Sequence, residues 1–348
     1  MIYDSKATAD SRGRLYYFDN AKFILIFLVV LAHFVASLND TSPFCRALWG
    51  VINYFHMPAL IFISGFFAKR YISKSREIKV QRVATYVILM AAATLFYALF
   101  QTFALDLPFR PSMMSARPAM WFLQCLIAWH VMLPVLSYFK PGYVMAASIV
   151  LGLLVGYQNG ASHFMSISRM FVHLPFFMAG YYIKQEHIDK LNKKIFKWMG
   201  AGAFAAVAAI SYILPFTVIE SLLTSRAPYA KLKILVAHIP EPLFWTARLW
   251  FYGVAAALIV AFLALVPRGK AIFTNLGQET LSVYILHIPL YLAYRQFKWF
   301  TLFQSPGMLA LLVLLALALT VVFSLKPFTL PFHWLQKIKV DKMMKRSG

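Results

Sequence analysis

The chain has 348 residues, of which 61% are hydrophobic and only 13% charged, with a formal net charge of +22. Soluble domains carry about 25% charged residues, so this composition excludes an ordinary soluble enzyme and describes a polytopic membrane protein. The Lys and Arg residues fall in short segments between apolar runs, where positive-inside sorting and anionic lipid account for them and no nucleic-acid partner is needed.

In chain order, Lys6, Arg12 and Arg14 precede the first apolar run and are offset partly by Asp4 and Asp10. That run is longer than the apolar part of a signal peptide, so it reads as an uncleaved first helix behind a cytoplasmic segment, 1–20. Apolar runs then cover 21–38, 47–67, 83–104, 118–138, 143–157, 170–184, 196–214, 243–266, 279–296 and 307–325. The expected fold is an all-α bundle of about ten transmembrane helices with both termini cytoplasmic, since that orientation leaves most of the 34 Lys and Arg residues inside. The fifth and sixth runs fall short of the roughly 20 residues of a perpendicular span. The longest stretch without strong apolar character is 215–242. Residues 21–325 form one membrane domain, and 326–348 form a basic tail. From Pro331 that tail sets Phe332, Trp334, Leu335 and Ile338 among Lys337, Lys339, Lys342, Lys345 and Arg346, the pattern of an interfacial helix on the inner leaflet. Cys45 and Cys125 give neither a disulfide framework nor metal-ligand spacing, and no metal is expected.

The first run contains two ionisable side chains, Lys22 and His33, eleven residues apart. At about 100° per residue they project from one helix face, and at 1.5 Å per residue they are separated by about 16 Å along the axis. Such groups inside a spanning helix are costly and usually face the protein interior or a wet cavity, so they mark a functional site. Asp19 lies about 21 Å from His33 along the same helix, beyond hydrogen-bonding reach, and is three residues from Lys22, with which it is expected to pair.

Phe18-Asp19-Asn20-Ala21-Lys22, followed by ten residues and then His33, resembles the opening of the integral-membrane acyltransferase-3 family, whose hallmark is a basic residue and a histidine at this spacing. Further matches follow in order: His56-Met57-Pro58 running into Ser64-Gly65-Phe66; Met120-Trp121-Phe122-Leu123; Arg169; Pro175-Phe176-Phe177; Gly180-Tyr181-Tyr182; Leu276-Gly277; Thr280; and Tyr284-Ile285-Leu286-His287. The series is similar to the fucose 4-O-acetylase-like branch of sugar O-acetyltransferases. Two departures stand out. Lys22 occupies a position where many members carry Arg, which keeps the charge but loses the planar fork. The chain also ends soon after its last apolar run, without the hydrolase-like domain some members carry, and so suggests a stand-alone enzyme.

The resemblance implies transfer of an acetyl group from cytosolic acetyl-CoA to a sugar hydroxyl of an envelope or exopolysaccharide, or of its lipid-linked precursor, in the cytoplasmic membrane. Lys22 is then placed to hold phosphate or pantetheine, and His33 to act as general base on the acceptor hydroxyl, with an acetyl-histidine intermediate as the open alternative. Arg82 and Arg70, in the basic loop after the second run, are candidates for CoA phosphates, against a purely topogenic role. Trp121 and Arg169 are candidates for the acceptor or acyl tunnel, against an aromatic belt and a snorkelling cation, the reading that also competes at Arg248, and Asp19, His56 and His287 are further candidates for the same lining. His287 is either a second base or a helix-to-helix hydrogen bond, and His56 sits beside Pro58, which should kink the second helix. Ser64 and Gly65 suit close helix packing. Acetyl-CoA, a glycan or lipid-linked sugar and membrane lipid are the expected partners, with a homodimer left open. A transporter or lipid-linked glycan flippase, and a structural subunit of an export machine, are the competing readings. A transporter more often repeats its pattern between halves, and the Lys22-His33 motif has no second copy.

Overall fold

The computed structural model describes residues 15–69, 80–115, 118–162, 164–223, 227–232 and 237–340. Helices dominate: α1 (Tyr16–Val35), α2 (Pro43–Ala68), α3 (Val80–Leu105), α4 (Met120–Leu136), α5 (Pro141–Leu154), α6 (Ile167–Tyr182), α7 (Gln185–Lys190), α8 (Lys194–Ile213), α9 (Phe216–Leu223), α10 (Trp245–Leu265), α11 (Thr280–Gln296), α12 (Pro306–Phe323) and α13 (Lys326–Gln336). Among the described residues no strand forms beyond a single bridge between Ser115 and Phe164. Each of the ten apolar runs coincides with a helix. Among the described residues, six helical segments are long and apolar enough to cross a membrane, namely Tyr16–Leu38, Pro43–Ala68, Val80–Leu105, Lys194–Ile213, Glu241–Leu265 and Pro306–Phe323. Helices α4, α6 and α11 have 17, 16 and 17 residues. At 1.5 Å per residue they span about 25 Å, a few ångströms less than the hydrocarbon core. All three contain an internal proline.

The structure adds two features to the sequence reading. The 215–242 stretch contains a helix, α9, and the C-terminal helix starts at Lys326, five residues before Pro331. Lys342, Lys345 and Arg346 lie outside the described residues.

Two compact units divide the chain. The first comprises Met1–Leu60, Lys184–Leu223 and Trp250–Thr329, and the second Ile61–Ile183, Thr224–Leu249 and Leu330–Gly348. In the first, α1 packs against α11, α12 and the 3₁₀ turn Leu276–Gln278, and α11 packs against α12. Its centre is apolar, with Leu25, Ile26, Val29 and Val30 of α1, Leu258 of α10 and Val283 and Ile285 of α11 all buried. In the second, α5 packs on α6, α3 on α4 and α4 on α6. There Gly65 and Gly180 allow backbone-to-backbone contact: a methyl group on Gly65 would strike the Phe177 carbonyl, and one on Gly180 the Phe62 carbonyl. This reciprocal fit is the close packing expected of small residues in membrane helices.

Candidate functional site

The first unit builds its site on α1, whose N-terminal turn is fixed from several directions. The Tyr17 hydroxyl donates to the Leu263 carbonyl at 2.5 Å, and the Arg268 guanidinium lies over the Tyr17 ring at 4.7 Å while bonding Asp189 at 2.6 Å. Asn20, fully buried, donates to the carbonyls of Pro267 at 2.9 Å and Gly269 at 2.8 Å, and accepts from the Thr274 hydroxyl at 2.6 Å. Gly277 presses on the Asp19 carbonyl so closely that any side chain there would collide with the α1 backbone. These contacts hold the segment leading into α11 against the start of α1.

On this anchored turn Asp19 and Lys22 form an ion pair at 2.8 Å, with the Asp19 side chain 3% exposed and that of Lys22 21% exposed. The pairing expected from their spacing is present. An acidic group in the first turn also meets the positive end of the helix dipole. The Lys22 side chain is only partly buried, and its ammonium carries three donors.

His33 occupies the last turn of α1, the end where the dipole favours a cation. Leu31, Ala32, Phe34 and Val35 around it are buried, whereas His33 itself remains partly exposed. Its neighbours are polar and aromatic as well as aliphatic. Its Nδ1 lies 2.9 Å from the Val29 carbonyl and 3.4 Å from Nε2 of His287, and its ring meets those of His287 and Tyr291 at centroid distances of 5.0 Å in each case. His287 is fully buried on α11, with Nδ1 2.8 Å from the Val283 carbonyl. His56 on α2 is buried too, its Nδ1 2.7 Å from the Ile52 carbonyl. Thus Asp19, Lys22, His33, His56 and His287 share one unit, in which Asp19 meets Lys22 and His33 meets His287. Among the described residues no group of three His, Cys, Asp or Glu side chains is arranged to hold a metal ion.

The second unit holds the other candidates. Trp121 at the start of α4 is flanked by the His173 ring at 5.4 Å and by the Arg169 guanidinium at 4.8 Å, a cation–aromatic stack of the kind that fixes an arginine in a partly dry setting. Arg82 donates through Nε to the Tyr86 hydroxyl at 3.1 Å and lies over that ring at 4.8 Å, and Tyr86 in turn meets His130 at 5.2 Å. Arg248 is buried, donates to the Gly152 carbonyl at 3.2 Å and sits 5.1 Å from the Tyr229 ring centroid, an internal setting unlike that of a snorkelling cation. Arg70 lies outside the described residues.

Sequence reasoning passed over Asn20, Tyr291, His130 and His173. A usable signal was present for His173, because His56, His173 and His287 each stand two residues before a proline inside a helix, at Pro58, Pro175 and Pro289. Proline frees the carbonyl four residues earlier and distorts that turn, which makes room for a polar ring. Tyr291 was legible as the residue one turn after His287, on the same face of α11.

No curated protein and no solved structure matches the chain. A family model does: acyltransferase-3, described as an acyltransferase domain, matches residues 15–325, which is most of the chain and includes every candidate site residue named above. With that match, and with an apolar helical bundle around the Lys22 and His33 helix, the chain belongs to the acyltransferase-3 family and is a membrane acyltransferase.

Proposed function

We propose that this acyltransferase moves an acetyl group from cytosolic acetyl-CoA to a sugar hydroxyl of an envelope or exopolysaccharide, or of its lipid-linked precursor, in the cytoplasmic membrane, with His33 as general base. One observation carries the reading: on a single helix, the partly exposed side chains of Lys22 and His33 lie on the same face, about 16 Å apart along the axis. The CoA arm is elongated, with phosphates at one end and a thioester at the other, and that offset suits its length. Lys22 contacts phosphate or pantetheine as a point charge. Arg82 and Arg70 are further phosphate contacts in the same proposal, and Trp121 and Arg169 contacts for the acceptor, each open to test by substitution.

The chemistry balances without a further reagent. His33 Nε2 takes the proton of the acceptor hydroxyl as its oxygen attacks the thioester carbonyl. The carbon–sulfur bond then breaks, and the departing thiolate recovers that proton from the imidazolium, leaving an O-acetyl ester and free CoA. General-base assistance of this kind commonly contributes 10²- to 10⁴-fold. The position of His33 in the last turn of α1 favours the transient cation.

The test is glycan analysis of a strain lacking the protein, complemented with the wild type or with His33→Ala. The wild type should restore polymer acetate, and the variant, inserted at equal level, should not. Analysis of the restored ester names both acceptor sugar and acyl group.

A further inference from the structure

The two histidines that meet at 3.4 Å are not chemically equivalent, and their backbone partners reveal the difference. A carbonyl oxygen can only accept, so a ring nitrogen facing one must carry the proton. His287 Nδ1 faces the Val283 carbonyl at 2.8 Å and is therefore N–H. In the neutral ring Nε2 is then a bare lone pair, and this is the atom that faces His33. His33 Nδ1 faces the Val29 carbonyl at 2.9 Å, so it too is N–H, and it has two acceptors, that carbonyl and the His287 lone pair. The only nitrogen of His33 left without a proton is Nε2. The direction of donation runs one way: His33 Nδ1–H to His287 Nε2, and His287 Nδ1–H to Val283.

We propose that His287 is the positioning residue for His33, doing for this imidazole what a carboxylate does in other acyl-transfer sites. The inference rests on the reading of His33 as general base. His287 accepts from Nδ1–H, fixes the ring plane so that the bare Nε2 meets the acceptor hydroxyl, and gives the Nδ1 proton a second acceptor when His33 becomes an imidazolium. Three features support this assignment over a packing role. The His287 ring is itself pinned by Val283, a residue of its own helix. The His33 ring also meets that of Tyr291, one turn further along α11, with centroids 5.0 Å apart and the ring planes at 63°, so a single helix supplies both the hydrogen bond and a ring that restricts the tilt of His33. Finally, a protonated His287 would turn an N–H towards the N–H of His33, so the pair keeps its arrangement only while His287 is neutral, and a neutral acceptor suits a base that must gain and lose one proton per turnover. His287 touches no reacting atom in this scheme.

Glutamine and asparagine separate the alternatives. The amide of Gln reaches the place of Nε2 in a histidine, and that of Asn only the place of Nδ1, so Gln alone can present an acceptor to His33. Transfer of label from radioactive acetyl-CoA to the endogenous acceptor is followed in membrane vesicles from cells producing the full chain, with the wild type, His287→Gln, His287→Asn and His287→Phe at matched levels. Expected is a Gln variant within about threefold of wild type. Asn and Phe variants should lose at least 30-fold in kcat, with KM for acetyl-CoA changed less than twofold, and the acid limb of the pH–rate profile should move in these two but not in Gln. Loss of folding by the Phe variant leaves the Gln and Asn comparison intact. The proposal is overturned if Gln and Asn are equally active or equally dead, or if the loss falls on KM with the pH profile unmoved. Failure of the acyltransfer reading is distinct, because the wild type itself would then transfer no label.

Discussion

The Thr274 hydroxyl donates to the buried carboxamide oxygen of Asn20 at 2.6 Å, which stitches the segment before α11 to the first turn of α1. Since α11 carries His287 and α1 carries His33, this bond and the two carbonyl contacts of Asn20 lie at the base of the helix pair that bears the histidines.

Replacing Asn20 by Ala removes the donor to the Pro267 and Gly269 carbonyls, at the edge of the bundle, and leaves the buried Thr274 hydroxyl without its acceptor. Each such loss costs about 1–3 kcal/mol when water cannot reach the group. Thermal unfolding of the detergent-purified protein should therefore show a clear fall in midpoint for Asn20→Ala, and a fall for Thr274→Val too, which removes both the bond to Asn20 and the oxygen that accepts from the Ala271 N–H at 2.7 Å. An unchanged midpoint in Asn20→Ala would show that this clamp contributes little.

The contact of Gly65 with Phe177 and of Gly180 with Phe62 is made by backbone atoms, which cannot swing aside as a flexible side chain does. Gly65→Ala and Gly180→Ala should each sharply lower the yield of folded, monodisperse protein. Gly202→Ala is the matched control, because a methyl group there meets nothing within 4 Å. Size-exclusion profiles after membrane extraction decide the matter, and a Gly65→Ala profile like that of Gly202→Ala would refute the close-packing role.

In the proposed function Lys22 offers charge to a phosphate-bearing donor; its ion pair with Asp19 at 2.8 Å is on the same helix turn. Lys22→Ala should raise KM for acetyl-CoA by about tenfold, on the scale of 1.4 kcal/mol, with kcat changed less. Lys22→Arg should retain most of the affinity. Kinetics against acetyl-CoA in membrane vesicles provide the readout, and an equal loss in acceptor use would count against a donor-site role.

Much of the bundle could be read from the chain because lipid enforces a simple rule: backbone polar groups must be satisfied within each spanning segment, so a long apolar run becomes a helix. All ten runs did. The Asp19–Lys22 pair was legible for the same local reason, since residues three apart share a helix face. The partner of His33 was not, because His287 is 254 positions away and no periodicity links α1 to α11. Asn20 was equally hidden: an asparagine in the first turn looks like a local feature, and its three partners all lie in the 267–274 segment. The helix α9 escaped notice because it is only eight residues long within a stretch of mixed polarity.

The most direct measurement is transfer of radioactive acetyl from acetyl-CoA to the endogenous glycan in vesicles containing either the wild type or His33→Ala, inserted at equal levels. The wild type should label the glycan, and the variant should fall to the background of vesicles without the protein. Full labelling by His33→Ala would contradict the assignment of His33 as the base.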